Sequence, residues 1–363
     1  MGEEITLTTG VATPRFFMGV DMKIPDREDS IENLIDKAHE ENTERPRPHM
    51  GASMLGGICE RKMWLSFRWA VQPKFPGRIL RLFRRGHMEE ANIIIDLLSI
   101  GLNIRTCDAQ ARVDFGCHVS GSIDAIIDSG VPEAPNKQHI GEFKTHSLKS
   151  FNDVEAKGVE KSKPEHYAQM QIYMHGTGID RALYVAVCKD NDRIYTERVR
   201  YDKEVAEKLV ARGKRVALSE RMPPPISTDP SWFQCKFCDA HSFCHETQLT
   251  QHVNCRTCAH STPKDDSTWR CERYDCTIEI ETQHGGKNCP AHTLHPDLVP
   301  WHMFDGTDWV AVYEVDGRKV RNGENEVSSQ ELIDNASGCA NPMVEKVKKI
   351  WPGAKVVKYD PAP

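Results

Sequence analysis

Apolar positions near the start of the chain recur with the period of a helix. Ile31, Leu34, Ile35 and Ala38 share one face behind Ser30, a residue suited to capping, and predict a helix there. Pro46 and Pro48 then break the chain. A second helical stretch is predicted from about Met54 to Trp69, and a third from just after Pro76-Gly77 to about Ile100, where Gly101 ends it. The period then drops to two. Val113 with Phe115, then Val119 to Ile127, then Ile140 to Lys144 read as three strands. Helices follow at about Leu148–Lys157 and Glu165–His175. Ala182 to Cys188 is a compact apolar run that reads as a buried strand, Ile194 to Tyr201 alternates like an edge strand, and Asp202 to Arg221 is a last helix. This order predicts an α/β fold in which a mixed sheet is flanked by helices.

Pro223-Pro224-Pro225 marks a boundary, and a cysteine-rich section occupies about 232–292. The tail from about 300 carries a hairpin pattern, Trp309 to Val315 and then Lys319 to Val320 around Asp316-Gly317, with a short helix near Glu331. The chain therefore divides into an N-terminal extension (1–50), a core (51–250), a cysteine-rich module (251–299) and a small α/β tail (300–363).

Composition narrows the class. The 363 residues suffice for one large or two to three smaller domains, and 39% hydrophobic with 28% charged residues suits a soluble globular protein. No apolar run reaches membrane-spanning length, and Met1-Gly2-Glu3-Glu4-Ile5 lacks the basic and apolar segments of a secretory signal, so a cytoplasmic protein with no membrane partner is expected. A net charge of -6 argues against a purely electrostatic, non-specific DNA binder and leaves room for a local basic surface. Without an export signal, 13 cysteines gathered into C-x2-C pairs favour metal binding over disulfides.

The chemistry centres on two short segments. Side chains on a strand alternate, so in Gly141-Glu142-Phe143-Lys144 the Glu and Lys share a face while Phe143 turns to the core. Gly121-Ser122-Ile123-Asp124 precedes them at a distance suited to a neighbouring strand. Two carboxylates so placed attract Mg²⁺ or Mn²⁺, and Lys144 can orient a water or stabilise developing charge. Gln169 and Tyr173 follow, four residues apart on one helix face. Glu-x-Lys by itself also describes an ordinary solvated strand; the preceding Asp and the following helix pair favour the chemical reading.

In order and spacing these residues resemble the PD-(D/E)XK nuclease superfamily, and specifically its RecB-type exonuclease branch, over roughly residues 50 to 245. That branch carries a helix His, then G-x-x-D, E-x-K and Q-x-x-x-Y, matched here by His87 in Arg85-Gly86-His87-Met88-Glu89-Glu90, then Asp124, Glu142 with Lys144, and Gln169 with Tyr173. The resemblance implies a restriction-endonuclease-like core. It implies a divalent ion on His87, Asp124, Glu142 and the Phe143 carbonyl, a catalytic Lys144, and substrate contacts from Gln169 and Tyr173. Glu90, one turn after His87, competes with it. The activity implied is DNA exonuclease action on single-stranded or end-bearing DNA in recombination, repair or replication. DNA is the expected partner, together with single-stranded-DNA-binding or recombination proteins. No Walker-type phosphate loop is present, which points to a stand-alone enzyme.

Cys235-x2-Cys238-x5-Cys244 supplies three thiolates, and Cys59 is the candidate fourth, joining two ends of the core. Iron–sulfur members of this nuclease branch have one upstream Cys and three at the C-terminal end, so the resemblance implies a [4Fe–4S] cluster on Cys59, Cys235, Cys238 and Cys244. Zn²⁺ on the same thiolates is the alternative, with His241 or His245 able to replace Cys59. A second group, Cys255-x2-Cys258, Cys271 and Cys289-x2-His292, reads as a zinc ribbon held by Cys255, Cys258, Cys271 and Cys289, with Cys276 or His292 as substitutes. Cys107, Cys117, Cys188 and Cys339 have no partner spacing.

Arg78, Arg81, Arg84 and Arg85 recur at helical spacing before His87, either as phosphate contacts or as a solvated face. Trp64, Phe67 and Trp69 either stack on bases or pack in the core. The rival to a nuclease is a nucleic-acid-binding scaffold with structural metals, and RNA is the rival substrate.

Overall fold

The computed structural model describes residues 30–42, 45–105, 112–307, 309–315 and 317–339. Cys107, the hairpin residue Asp316, residues 1–29 and everything from 340 onward lie outside the described residues.

The first helix, α1 (Ile31–Glu41), starts where Ser30 accepts a hydrogen bond from the Asn33 amide. A short strand β1 (Met50–Gly51) leads into α2 (Ala52–Leu55) and α3 (Glu60–Phe67), then the long α4 (Gly77–Ser99). The stretch expected as one helix from Met54 to Trp69 is thus two, because Cys59 caps α3 afresh: its sulfur accepts from the Lys62 amide at 3.4 Å. Next come β2 (Asn103–Arg105), β3 (Arg112–Gly116), β4 (Val119–Ser122), β5 (Ala125–Ser129) and β6 (His139–His146). Helices α5 (Leu148–Lys157), α6 (Val159–Ser162) and α7 (Pro164–Thr177) follow, then β7 (Arg181–Cys188), β8 (Ile194–Arg200) and α8 (Lys203–Ala217).

The expected Val119–Ile127 strand bends at Ile123-Asp124, and its halves join different sheets. β4 lies between β1 and β3 in a three-stranded sheet. β5 enters a five-stranded sheet of order β2-β5-β6-β7-β8, in which β6 and β7 run parallel and the other pairs are antiparallel. This is the mixed sheet predicted, with β8 at an edge; β1 and β2 were not expected. Joining the parallel strands requires a crossover, and α5 to α7 form it. Ile93 of α4 packs with Phe143, Val185 and Ile127 on one face of the sheet, while Ile140, Tyr184 and Ala186 join Met170 and Tyr173 of α7 in the larger core on the other.

The cysteine-rich section begins with α9 (Phe233–Lys236) and continues as a small antiparallel sheet of β9 (Ser261–Pro263), β10 (Trp269–Cys271) and β11 (Cys276–Thr277), followed by α10 (Ile280–His284). The tail forms a meander of β12 (Met303–Thr307), β13 (Val310–Val315) and β14 (Arg318–Gly323), with α11 (Ser329–Cys339) against it. The hairpin and helix expected there are present. Among the described residues no helix is long and apolar enough to cross a membrane.

Candidate active site

Asp124 stands at the bend between β4 and β5, and the pairing of Ala125 with Gly141 brings it beside Glu142. Its Oδ2 accepts from the Phe143 amide at 3.1 Å, a bond that ties the bend to β6. Glu142 and Lys144 lie on the α7 side of β6, as alternation requires, with Phe143 in the opposite core. The Lys144 ammonium pairs with Glu142 Oε1, stands 3.5 Å from Asp124 Oδ2, and donates to the Phe143 carbonyl at 3.0 Å. Asp124, Glu142, the Phe143 carbonyl and Lys144 therefore converge.

Glu142 is wholly buried, and beyond its pairing with Lys144 neither carboxylate oxygen has a hydrogen-bond donor. Burial pushes its pKa up to about 8 despite Lys144 beside it, and the charges of Asp124 and Glu90 push the same way. Burial disfavours the charged form of Lys144, but Glu142 and Asp124 outweigh that and hold the ammonium charged beyond the ordinary range. Tyr173 is likewise raised, by burial first and then by Glu142.

Gln169 and Tyr173 are buried on α7 and bonded to each other, Gln169 Nε2 donating to the Tyr173 hydroxyl at 3.2 Å. Gly121 explains how they approach the bend. A Cβ there would lie 2.7 Å from Tyr173 Cε1 and 2.7 Å from the Ala52 Cβ, so only glycine admits the ring.

On α4 the structure separates the two competitors. His87 is exposed. Glu90 is half-buried, one turn before Ile93 on the stripe that meets the sheet; burial and Asp124 raise its pKa, and Lys144 and His87 oppose the rise. Of the arginines, Arg81 is paired with Asp36 of α1 and so is engaged within the protein. Arg85 donates to the Lys189 carbonyl at 3.1 Å, and Arg84 and Arg78 are exposed. Trp64, Phe67 and Trp69 are buried, so they pack in the core and offer no stacking face.

A polar array adjoining the site escaped the sequence reading. The Tyr184 hydroxyl, on the β7 residue registered with Glu142, lies 2.8 Å from His146 Nε2 and 3.0 Å from His166 Nδ1. Burial, reinforced by the neighbouring lysines, lowers His146 to about 4 and His166 to about 3, so both are neutral near pH 7. Period two along β6 (Glu142, Lys144, His146) and helical spacing along α7 (His166, Gln169, Tyr173) were the available signals.

Cys59, Cys235, Cys238 and Cys244, distant in sequence, line one cavity of about 370 Å³ together with His241 and His245. Arg61 lies beside Cys244, and its Nε donates to the Pro223 carbonyl at 2.8 Å. Cys255, Cys258, Cys271 and Cys289 line a second cavity of about 30 Å³. As placed, no group of three or more His, Cys, Asp or Glu side chains among the described residues stands in metal-ligating geometry. Cys188 is buried, Cys117 half-buried and Cys276 exposed.

No protein-family profile and no curated protein matches the chain. Solved structures with some likeness include SSO0001 (16% identity, 60% of this chain and 98% of that one, TM-score 0.39). LHK-Exo, an alkaline exonuclease from Laribacter hongkongensis solved in complex with dAMP, shares 14% identity over 50% of this chain and 89% of its own, with TM-score 0.34. A phage-related exonuclease from Haemophilus somnus 129PT shares 21% identity over 36% of this chain and 67% of its own, with TM-score 0.28. Scores this low carry no argument, and the functional reading rests on the geometry above.

Proposed function

We propose that the chain is a metal-dependent deoxyribonuclease that hydrolyses phosphodiester bonds, acting as an exonuclease on single-stranded or end-bearing DNA in recombination, repair or replication. One observation carries the reading: Glu142, wholly buried and short of donors, shares a face with Lys144 and meets Asp124 across the bend. A buried carboxylate is costly unless a cation compensates it. Here Asp124, Glu142 and Glu90 outnumber the single ammonium of Lys144, and such an all-oxygen, electron-rich set fits Mg²⁺ or Mn²⁺.

Asp124, Glu142 and the Phe143 carbonyl would hold the ion, with Glu90 the better candidate than His87 for the contribution from α4. When bound, the ion supplies positive charge at the phosphate and acidifies a water. Lys144, already charged and anchored on the Phe143 carbonyl, orients the attacking water and offsets charge on the phosphorane oxygens. Tyr173, fixed by Gln169 and admitted by Gly121, borders the place where the phosphate sits. Neutral His166 and His146, held through Tyr184, add hydrogen-bonding capacity without competing charge. Arg78, Arg84 and Arg85, exposed on α4, remain to meet the DNA backbone. The cavity lined by Cys59, Cys235, Cys238 and Cys244 would be the place for the [4Fe–4S] cluster that the spacing of the cysteines suggests.

The test is digestion of matched single-stranded DNA, double-stranded DNA and RNA with Mg²⁺ or Mn²⁺, wild type beside Glu142→Ala. Cleavage of DNA by wild type, abolished in a folded Glu142→Ala, is the expected result. Equal inertness of both proteins on every substrate gives the case to a non-catalytic nucleic-acid-binding scaffold, and a preference for RNA reassigns the substrate.

A further inference from the structure

The second thiol group lies in a turn that does something unusual for a metal knuckle. Cys255, Arg256, Thr257 and Cys258 form a tight turn in which the Cys258 amide donates to the Cys255 carbonyl at 3.2 Å. The Cys289 turn is pressed against it: a Cβ on Gly286 would lie 2.4 Å from the Asn254 Cα, so the two turns touch backbone to backbone. Cys271 completes the lining from β10. The space they line, about 30 Å³, is small.

The two substitute ligands are less well placed. His292 is buried with both ring nitrogens occupied, Nε2 at 2.9 Å from the Asn254 carbonyl and Nδ1 at 2.8 Å from Ser329 Oγ. Cys276 is exposed and does not line the cavity.

The first of the two residues between Cys255 and Cys258 points away from the cavity into the 51–250 core. Arg256 is 1% exposed and has no carboxylate partner among the described residues. Its Nε donates to Gln283 Oε1, its Nη1 to the Phe67 carbonyl and its Nη2 to the Pro48 carbonyl, each at 2.8 Å. Its guanidinium lies 3.8 Å from the Trp69 ring centre, 4.9 Å from that of Trp269 and 5.1 Å from that of Phe67. A guanidinium buried this deeply is tolerated only where polar partners and aromatic faces compensate its charge. Besides Gln283 of α10, those partners are the end of α3, whose other end is Cys59, and the segment that enters β1, which pairs with β4 just before Asp124.

We propose that Cys255, Cys258, Cys271 and Cys289, which line one cavity but as placed do not stand in ligating geometry, draw together on a single Zn²⁺, and that this ion fixes the turn from which Arg256 is driven into the core. The ion is then a staple for the 51–250 fold and not part of a separately acting DNA reader. The inference does not depend on the nuclease reading, since its readouts are metal content and stability.

The experiment uses the full chain, with zinc and iron measured separately. Wild type, Cys276→Ser and Arg256→Met should carry about one zinc per chain, and Cys271→Ser should lose it. A zinc-selective chelator added to folded wild type should lower its melting temperature by several degrees and red-shift its tryptophan emission, because Trp69 and Trp269 flank Arg256. In Arg256→Met, where the link is already cut, the same treatment should move the melting temperature much less. Three results overturn the proposal: wild type without zinc, zinc retained by Cys271→Ser as fully as by wild type, or an equal chelator effect on wild type and Arg256→Met. Should Cys271→Ser fail to fold, chelation of wild type and of Arg256→Met decides the matter.

Discussion

Replacing Glu142 by Gln should make the metal-free protein more stable while ending its response to metal. Folding moves the Glu142 carboxyl from an ordinary pKa of 4.5 to about 8. Between those values the folded chain holds a proton that the unfolded chain has released, so stability is greatest below the window and falls as pH rises through it. At pH 7 the accumulated cost is about 3 kcal/mol. Glutamine keeps the shape and removes the cost. Lys144 is not stranded, because Asp124 at 3.5 Å and the Phe143 carbonyl at 3.0 Å remain. Part of the gain is returned by the buried amide, which has few partners, so a net gain of about 1–2 kcal/mol is expected. Urea denaturation of both proteins in metal-free buffer, repeated across pH 5 to about 8 and then with Mg²⁺, reads all three effects. Wild type should weaken with rising pH and regain stability on adding Mg²⁺, by about 2.7 kcal/mol at a hundredfold excess over its dissociation constant. The variant should show neither slope nor rescue. A Gln variant that is less stable than wild type without metal, or equally rescued by Mg²⁺, would refute the account of Glu142 as an ion-awaiting carboxylate.

Other expectations follow from single contacts. Gly121→Ala should displace Tyr173 and cost about 1–3 kcal/mol in denaturation, with a fall in cleavage rate, since its Cβ has no space beside the ring. Glu90→Gln should weaken Mn²⁺ binding, measured calorimetrically, more than His87→Ala does; the reverse order would return the α4 ligand to His87. Lys144→Met should leave the fold intact and cut cleavage by about 10²–10³, read as a loss of kcat with little change in KM. Arg81→Ala should lower stability, through Asp36, and leave DNA affinity and its salt dependence nearly unchanged, whereas Arg84→Ala should reduce both.

Much of the site could be read directly because strand alternation is local. Glu142, Phe143 and Lys144 sort themselves onto two faces by period alone, and the four-residue step from Gln169 to Tyr173 does the same on α7. The bend at Asp124 was hidden because Ile123 continues the apolar pattern, and the feature that breaks the strand is a side-chain bond to Phe143 on another segment. Arg81 looked available because its partner Asp36 lies in a helix far upstream. Trp64, Phe67 and Trp69 could have gone either way by hydropathy; the guanidinium that closes over two of them comes from a turn nearly two hundred residues later. The array of His146, Tyr184 and His166 was missed for a similar reason. Each residue reads as an isolated polar group until the crossover folds α7 over the parallel pair.

Contacts across position 250 bear on how this chain can be cut. Asn254 donates to the Trp69 carbonyl at 3.3 Å, Arg221 grips Asp297, and Arg256 caps Phe67 and Pro48. An expression fragment ending at 250 would bare the indole of Trp69 and orphan several interior carbonyls at once. Such a truncation should precipitate, whereas trimming from the far end back to residue 340 leaves every one of these bonds intact.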